Sequence, residues 1–197
     1  MTEITEFFAQ GIRLCPRALA AVTDFRRMVA LAAKQAVTER LDHISAALGV
    51  PLHANDICDH HNPPGVDENW NGHWLWAAAK VEIPSLGTGY FGVYWGGALQ
   101  CDGADARITA TLYTKTRPDR DKLLGLCRER GLRVANIDGN EVSIFEPAGD
   151  VDSPETLKVR LDGLIDQWLE LFRAVGGIAG FHGGVVRQGD QSIHPEG

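Results

Sequence analysis

The chain predicts an α+β fold in which a mainly antiparallel five-stranded sheet carries long amphipathic helices, in the order α-β-β-β-α-β-β-α. Three observations predict it. Two long stretches, 16–48 and 154–175, repeat apolar residues at three- and four-residue steps. Five shorter stretches between them alternate apolar and polar residues at period two. Glycines, prolines and capping residues fall at the joints.

A short amphipathic piece (Ile4, Phe7, Phe8, Ile12) comes first. From Pro16 to Leu48, Val22, Phe25, Val29, Ala33, Val37, Leu41, Ile44 and Leu48 share one helical face. Pro16 suits a first turn, where a missing N–H costs nothing, and Gly49 with Pro51 stops the helix. Three strands follow a polar loop. Leu75, Ala77, Ala79, Val81 and Ile83 alternate with Trp74, Trp76, Lys80 and Glu82. Phe91, Val93 and Trp95 alternate with Tyr90, Gly92 and Tyr94, after a turn read at Pro84 and Gly87. Ile108, Ala110 and Leu112 alternate with Arg107, Thr109, Thr111, Tyr113 and Lys115. Such alternation marks a sheet with one strongly buried face.

Thr116 then caps a helix with Pro118 in its first turn, Leu123, Leu124 and Cys127 inside, and Gly131 at its end. LRVANI and EVSIFE flank Asp138-Gly139-Asn140, a hairpin signal because Asp-Gly accepts positive φ. Ser153-Pro154-Glu155 starts the last helix, whose apolar stripe includes Leu157, Leu161, Leu164, Trp168 and Val175 and ends at Gly176-Gly177. Trp168 and Phe25 are the largest residues expected in the core. The organisation is therefore one α+β domain over 1–177, with a His/Trp-rich loop at about 50–73, and a glycine-rich flexible tail over 178–197.

That element order in a small acidic chain resembles the secretion-chaperone architecture of the type III system. The likeness is one of order and charge; it implies a sheet covered by helices and carries no residue roles.

With 197 residues the chain should bury roughly 70% of its unfolded surface, so folding requires neither disulfide nor metal. Its net charge of −7 disfavours nucleic acid and anionic membrane, which call for clustered Lys and Arg, and suits a basic protein partner. Cys15, Cys58, Cys101 and Cys127 form no CxxC pair, the N-terminus lacks a signal-peptide pattern, and no stretch approaches the ~18 apolar residues of a membrane span. The chain reads as cytoplasmic with reduced thiols, or as working inside a host cell.

Chemistry concentrates between His53 and Trp76, which holds four of the seven histidines and three of the five tryptophans. His53, Asp56, Cys58, His60, His61 and His73 form a pool of possible ligands for a divalent ion such as zinc or manganese, which needs three or four of them within about 2.0–2.3 Å. None of the established spacings, CxxC or HExxH, is present. The DHHNPP stretch, 59–64, resembles the first half of an HNH nuclease, whose His and Asn sit on a hairpin around a metal; no later helix supplies the remaining His. There is no GxSxG turn, and Cys58 beside His60 in a loop is poorly oriented for nucleophilic catalysis. GTGYFG (87–92) and GGIAG (176–180) lack the strand-glycine-helix context of a phosphate loop and read as a turn and a helix stop.

The aromatic residues offer a different reading. With Leu75, Phe91 and Ile108 inward, Trp74, Trp76, Tyr90, Tyr94 and Tyr113 share the opposite sheet face with Arg107 and Lys115, and Trp70 precedes them in the loop. These rings either pack under helices covering both faces or form a partner-binding surface. The leading expectation is a non-enzymatic binding protein of the inhibitor, immunity or chaperone type, recognising a protein through Trp70, Trp74, Trp76, Tyr90, Tyr94, Tyr113 and Arg107. The rival is a metal-dependent hydrolase or nuclease using the 53–73 loop. A homo-oligomer, or a subunit whose tail orders on a partner, is also compatible with the sequence.

Overall fold

The structure, a computed structural model, describes residues 3–61, 74–96, 106–135 and 139–183. Its elements are α1 (Glu3–Glu39), α2 (Leu41–Leu48), β1 (Ile57–His61), β2 (Trp74–Ile83), β3 (Gly87–Gly96), β4 (Ala106–Thr114), α3 (Arg117–Glu129), β5 (Val134–Ala135), β6 (Glu141–Pro147), α4 (Pro154–Val175) and α5 (Gly177–Gly183). The strands form one sheet in the order β1-β2-β3-β4-β6-β5, antiparallel at every described pairing. The expected five strands are all present. A sixth, β1, lies within the segment read as loop and pairs Ile57 with Val81 and His61 with Ala77.

The helices share one core with one face of the sheet. Ala77, Ala79, Val81 and Ile83 of β2, Phe91 and Val93 of β3, Ile108, Ala110 and Leu112 of β4, and Val142 and Ile144 of β6 are buried with apolar residues from all five helices. Trp168 of α4 is 3% exposed, and its indole N–H donates to the Ala110 carbonyl at 3.0 Å, so the large ring is buried without an orphaned donor. The caps are those the sequence signals. The Thr116 hydroxyl accepts from the Asp119 N–H at 3.2 Å, the Ser153 hydroxyl from the Thr156 N–H at 3.2 Å, and Gly49 and Gly176 end their helices in left-handed conformation.

Four details depart from the sequence reading. First, Pro16 lies inside α1 rather than at its start. Residues 12–18 are exposed, so water can satisfy the carbonyl that the proline leaves unpaired. Second, the 16–48 helix is broken at Arg40, whose guanidinium bridges to Asp162, at 3.0 Å, and to Asp166 of α4. Third, Phe25 is 48% exposed and Val22 is exposed too, because the buried stripe of α1 begins only at Arg26 and Val29. Fourth, the beginning of the 178–197 segment is helix α5, which buries Ile178 and Phe181. Its start is fixed by close approach: a Cβ on Gly177 would sit 2.6 Å from the Leu48 carbonyl oxygen. Residues 184–197 lie outside the described residues. Among the described residues, no helix is long and apolar enough to cross a membrane.

Candidate functional site: the open face of the sheet

Period-two alternation that sends one set of side chains into the helix layer sends the other set to the opposite face, and no described helix packs there. Strand register arranges this second set in rows. Glu82, Thr88, Tyr113 and Glu141 are successive cross-strand partners, as are Lys80, Tyr90, Thr111 and Ser143. Ala78, Gly92, Thr109 and Phe145 form the next row, and Trp76, Tyr94 and Arg107 the one after it. Rows with large rings thus flank a row whose inner members are alanine, glycine and threonine.

The result is a hollow of about 280 Å³ lined by Trp76, Ala78, Tyr90, Val93, Tyr94, Thr109, Thr111, Tyr113 and Glu141. Its floor is small by necessity. A Cβ on Gly92 would lie 2.1 Å from the Ala77 carbonyl oxygen and 2.7 Å from the Ala78 Cβ, so no side chain fits at that position. The Trp76 and Tyr90 rings meet edge to face, with centroids 5.5 Å apart and planes at 88°, and make a corner of the wall. Trp76, Tyr90 and Tyr94 are half-buried, and Tyr113 at the rim is 49% exposed. From beneath, the buried Arg26 of α1 donates to the Trp76 carbonyl at 2.9 Å and ties β2 to the helix layer.

A polar relay fixes Glu141, the one carboxylate among the described residues of the wall. The Ser143 hydroxyl donates to Glu141 Oε1 at 2.9 Å, which leaves Thr111 as donor in its 2.6 Å contact with Ser143. Burial raises the pKa of the Tyr90 and Tyr94 phenols, so both stay protonated and neutral well above pH 7. Two cations of this face are engaged beside the hollow. Lys80 pairs with Glu82, and the Arg107 guanidinium lies 4.8 Å from the Phe145 ring centroid.

Of the residues expected to bind, Trp76, Tyr90, Tyr94 and Tyr113 therefore converge on one hollow, with Arg107 at its flank. Trp74 opens β2 opposite Gly96, and its backbone alone is described; Trp70 lies outside the described residues. Sequence reasoning missed Glu141, Thr111, Ser143 and the Gly92 floor. Their signal was present: the same alternation, read for the polar phase, places all four on this face. GTGYFG is not a turn but part of β3; the turn lies before it, at residues 84–86.

Among the described residues the possible metal ligands do not converge. Asp56 Oδ2 accepts from the His53 N–H at 2.7 Å and caps a short 3₁₀ turn, while Asp59 pairs with Lys34 of α1 at 3.5 Å. Cys58 is exposed at the opposite position of the β1 edge, across from Lys80. His60 and His61 take part in β1, where their backbone register is described, and His73 lies outside the described residues. Among the described residues no three His, Cys, Asp or Glu side chains come together in a metal-binding group. No protein-family model, curated protein or solved structure matches this chain.

Proposed function

We propose that this chain is a non-enzymatic binding protein of the inhibitor, immunity or chaperone type, and that it recognises a protein partner through the open face of its sheet. The observation that carries this reading is the ring of half-buried aromatic side chains around a hollow, on a face that no described helix packs against. Aromatic rings offer large contact area at small entropic cost, and a cavity of this kind takes an anchoring side chain from the partner. The net charge of −7 favours a basic partner and speeds its encounter.

The test is calorimetric titration of a co-purifying partner against variants of both faces. Trp76→Ala and Tyr113→Ala should each weaken binding by about 2 kcal/mol or more, the scale of an aromatic anchor. Val159→Asp on the exposed side of α4 should leave it unchanged. The reverse pattern would move the interface to the helix layer and defeat the proposal.

A further inference from the structure

We infer that the hollow on the open face receives an alkylammonium head group. The inference rests on the reading that this face binds and names the chemistry it selects. Four aromatic residues, Trp76, Tyr90, Tyr94 and Tyr113, supply the wall. Aromatic faces carry negative charge density, and the recurrent host for a quaternary or methylated ammonium is a cage of such rings. Rings alone would also take a neutral apolar group, so the remaining lining decides the guest. Among the described lining residues the single charged member is Glu141, with no lysine or arginine. The Thr111–Ser143–Glu141 relay holds that carboxylate in place before any guest arrives. An anion would meet the Glu141 carboxylate, which repels it.

Two of the protein's own cations on this face are engaged beside the hollow, Lys80 by Glu82 and Arg107 over Phe145. The floor also matters. Ala78 and Gly92 leave depth between the flanking rings, and the bar on any side chain at Gly92 keeps that depth from being filled. A volume of about 280 Å³ accommodates a trimethylammonium group with part of its alkyl stem. Such a head group comes either from a free quaternary amine or from a lysine, methylated or not, on a partner protein.

The experiment titrates the full chain with tetramethylammonium and, separately, with its neutral isostere tert-butyl alcohol. Binding is followed by tryptophan fluorescence and by amide chemical shifts of β2 and β3. Tetramethylammonium should bind with a dissociation constant in the millimolar range, about tenfold or more tighter than the alcohol. Tyr90→Ala and Tyr113→Ala should each weaken it about tenfold, Glu141→Gln several-fold, and Tyr113→Phe hardly at all, since Phe keeps the ring. Choline and a trimethyl-lysine peptide then separate the two sources: tighter choline points to a free amine, a tighter peptide to a partner's lysine. If the alcohol binds as well as the cation, or neither shifts the β2 and β3 amides, the inference is overturned. In the first case the hollow is an apolar anchor site and the proposed protein-binding role stands.

Discussion

Cys127 shows how burial sets the chemistry of a single side chain. It is fully buried in the core beside Leu123 and Leu124 of α3, and desolvation pushes its thiol up from 9.0 to about 12. The thiolate is the nucleophile, so the folded chain should alkylate quickly at exposed Cys15 and Cys58 and at Cys127 only after unfolding. Mass spectrometry of iodoacetamide-treated protein checks this; rapid labelling of Cys127 would show that α3 opens readily. The same shift has a sign. Above pH 9 the unfolded chain loses this proton while the folded chain keeps it, so stability should decline between about pH 9 and about pH 12. A Cys127→Ala variant should show a smaller decline in alkaline melts, although its own cavity lowers its stability at neutral pH. Capping residues such as Thr116 and Ser153 were legible in the sequence because a cap needs only its own side chain and the next turn. Gly92 was not. Its reason is the Ala77 carbonyl on the neighbouring strand, and GTGYFG read locally looks like a turn.

At the scale of elements, the α1–α4 and sheet–α4 contacts hold the helix layer in place. Trp168→Ala removes a buried ring and the hydrogen bond to Ala110, and should cost about 3–5 kcal/mol in chemical denaturation. Phe181→Ala should cost a comparable amount, because α5 delivers this fully buried ring against Phe172. An unchanged midpoint for Phe181→Ala would mean that α5 is not part of the cooperative unit. Periodicity revealed the stripes of α1 and α4, but not how far along α1 the core extends, so Phe25 appeared as a core residue. The same limit hid α5 and β1. A short glycine-rich helix gains its stability by docking near Leu48, and Ile57 is the single strong strand former in β1. The charge seam between α1 and α4 was also invisible, since Arg40 with Asp162 and Lys158 with Glu39 are distant in sequence.

At the scale of the whole molecule, the chain divides into a helix layer that stabilises the sheet and an aromatic face that no described helix covers. If that face carries the function, a chelator should leave both the melting temperature and partner binding unchanged. Loss of either on chelation, restored by zinc or manganese, would move the function to His53, Asp56, Cys58, His60, His61 and His73. The most direct measurement is photo-crosslinking with a benzophenone side chain placed at Tyr113 on the open face or at Val159 on the outside of α4; both positions are exposed. A basic partner should crosslink at position 113 and not at 159, and a Tyr90→Ala background should reduce the yield. Crosslinks confined to position 159 would contradict a binding role for the open face.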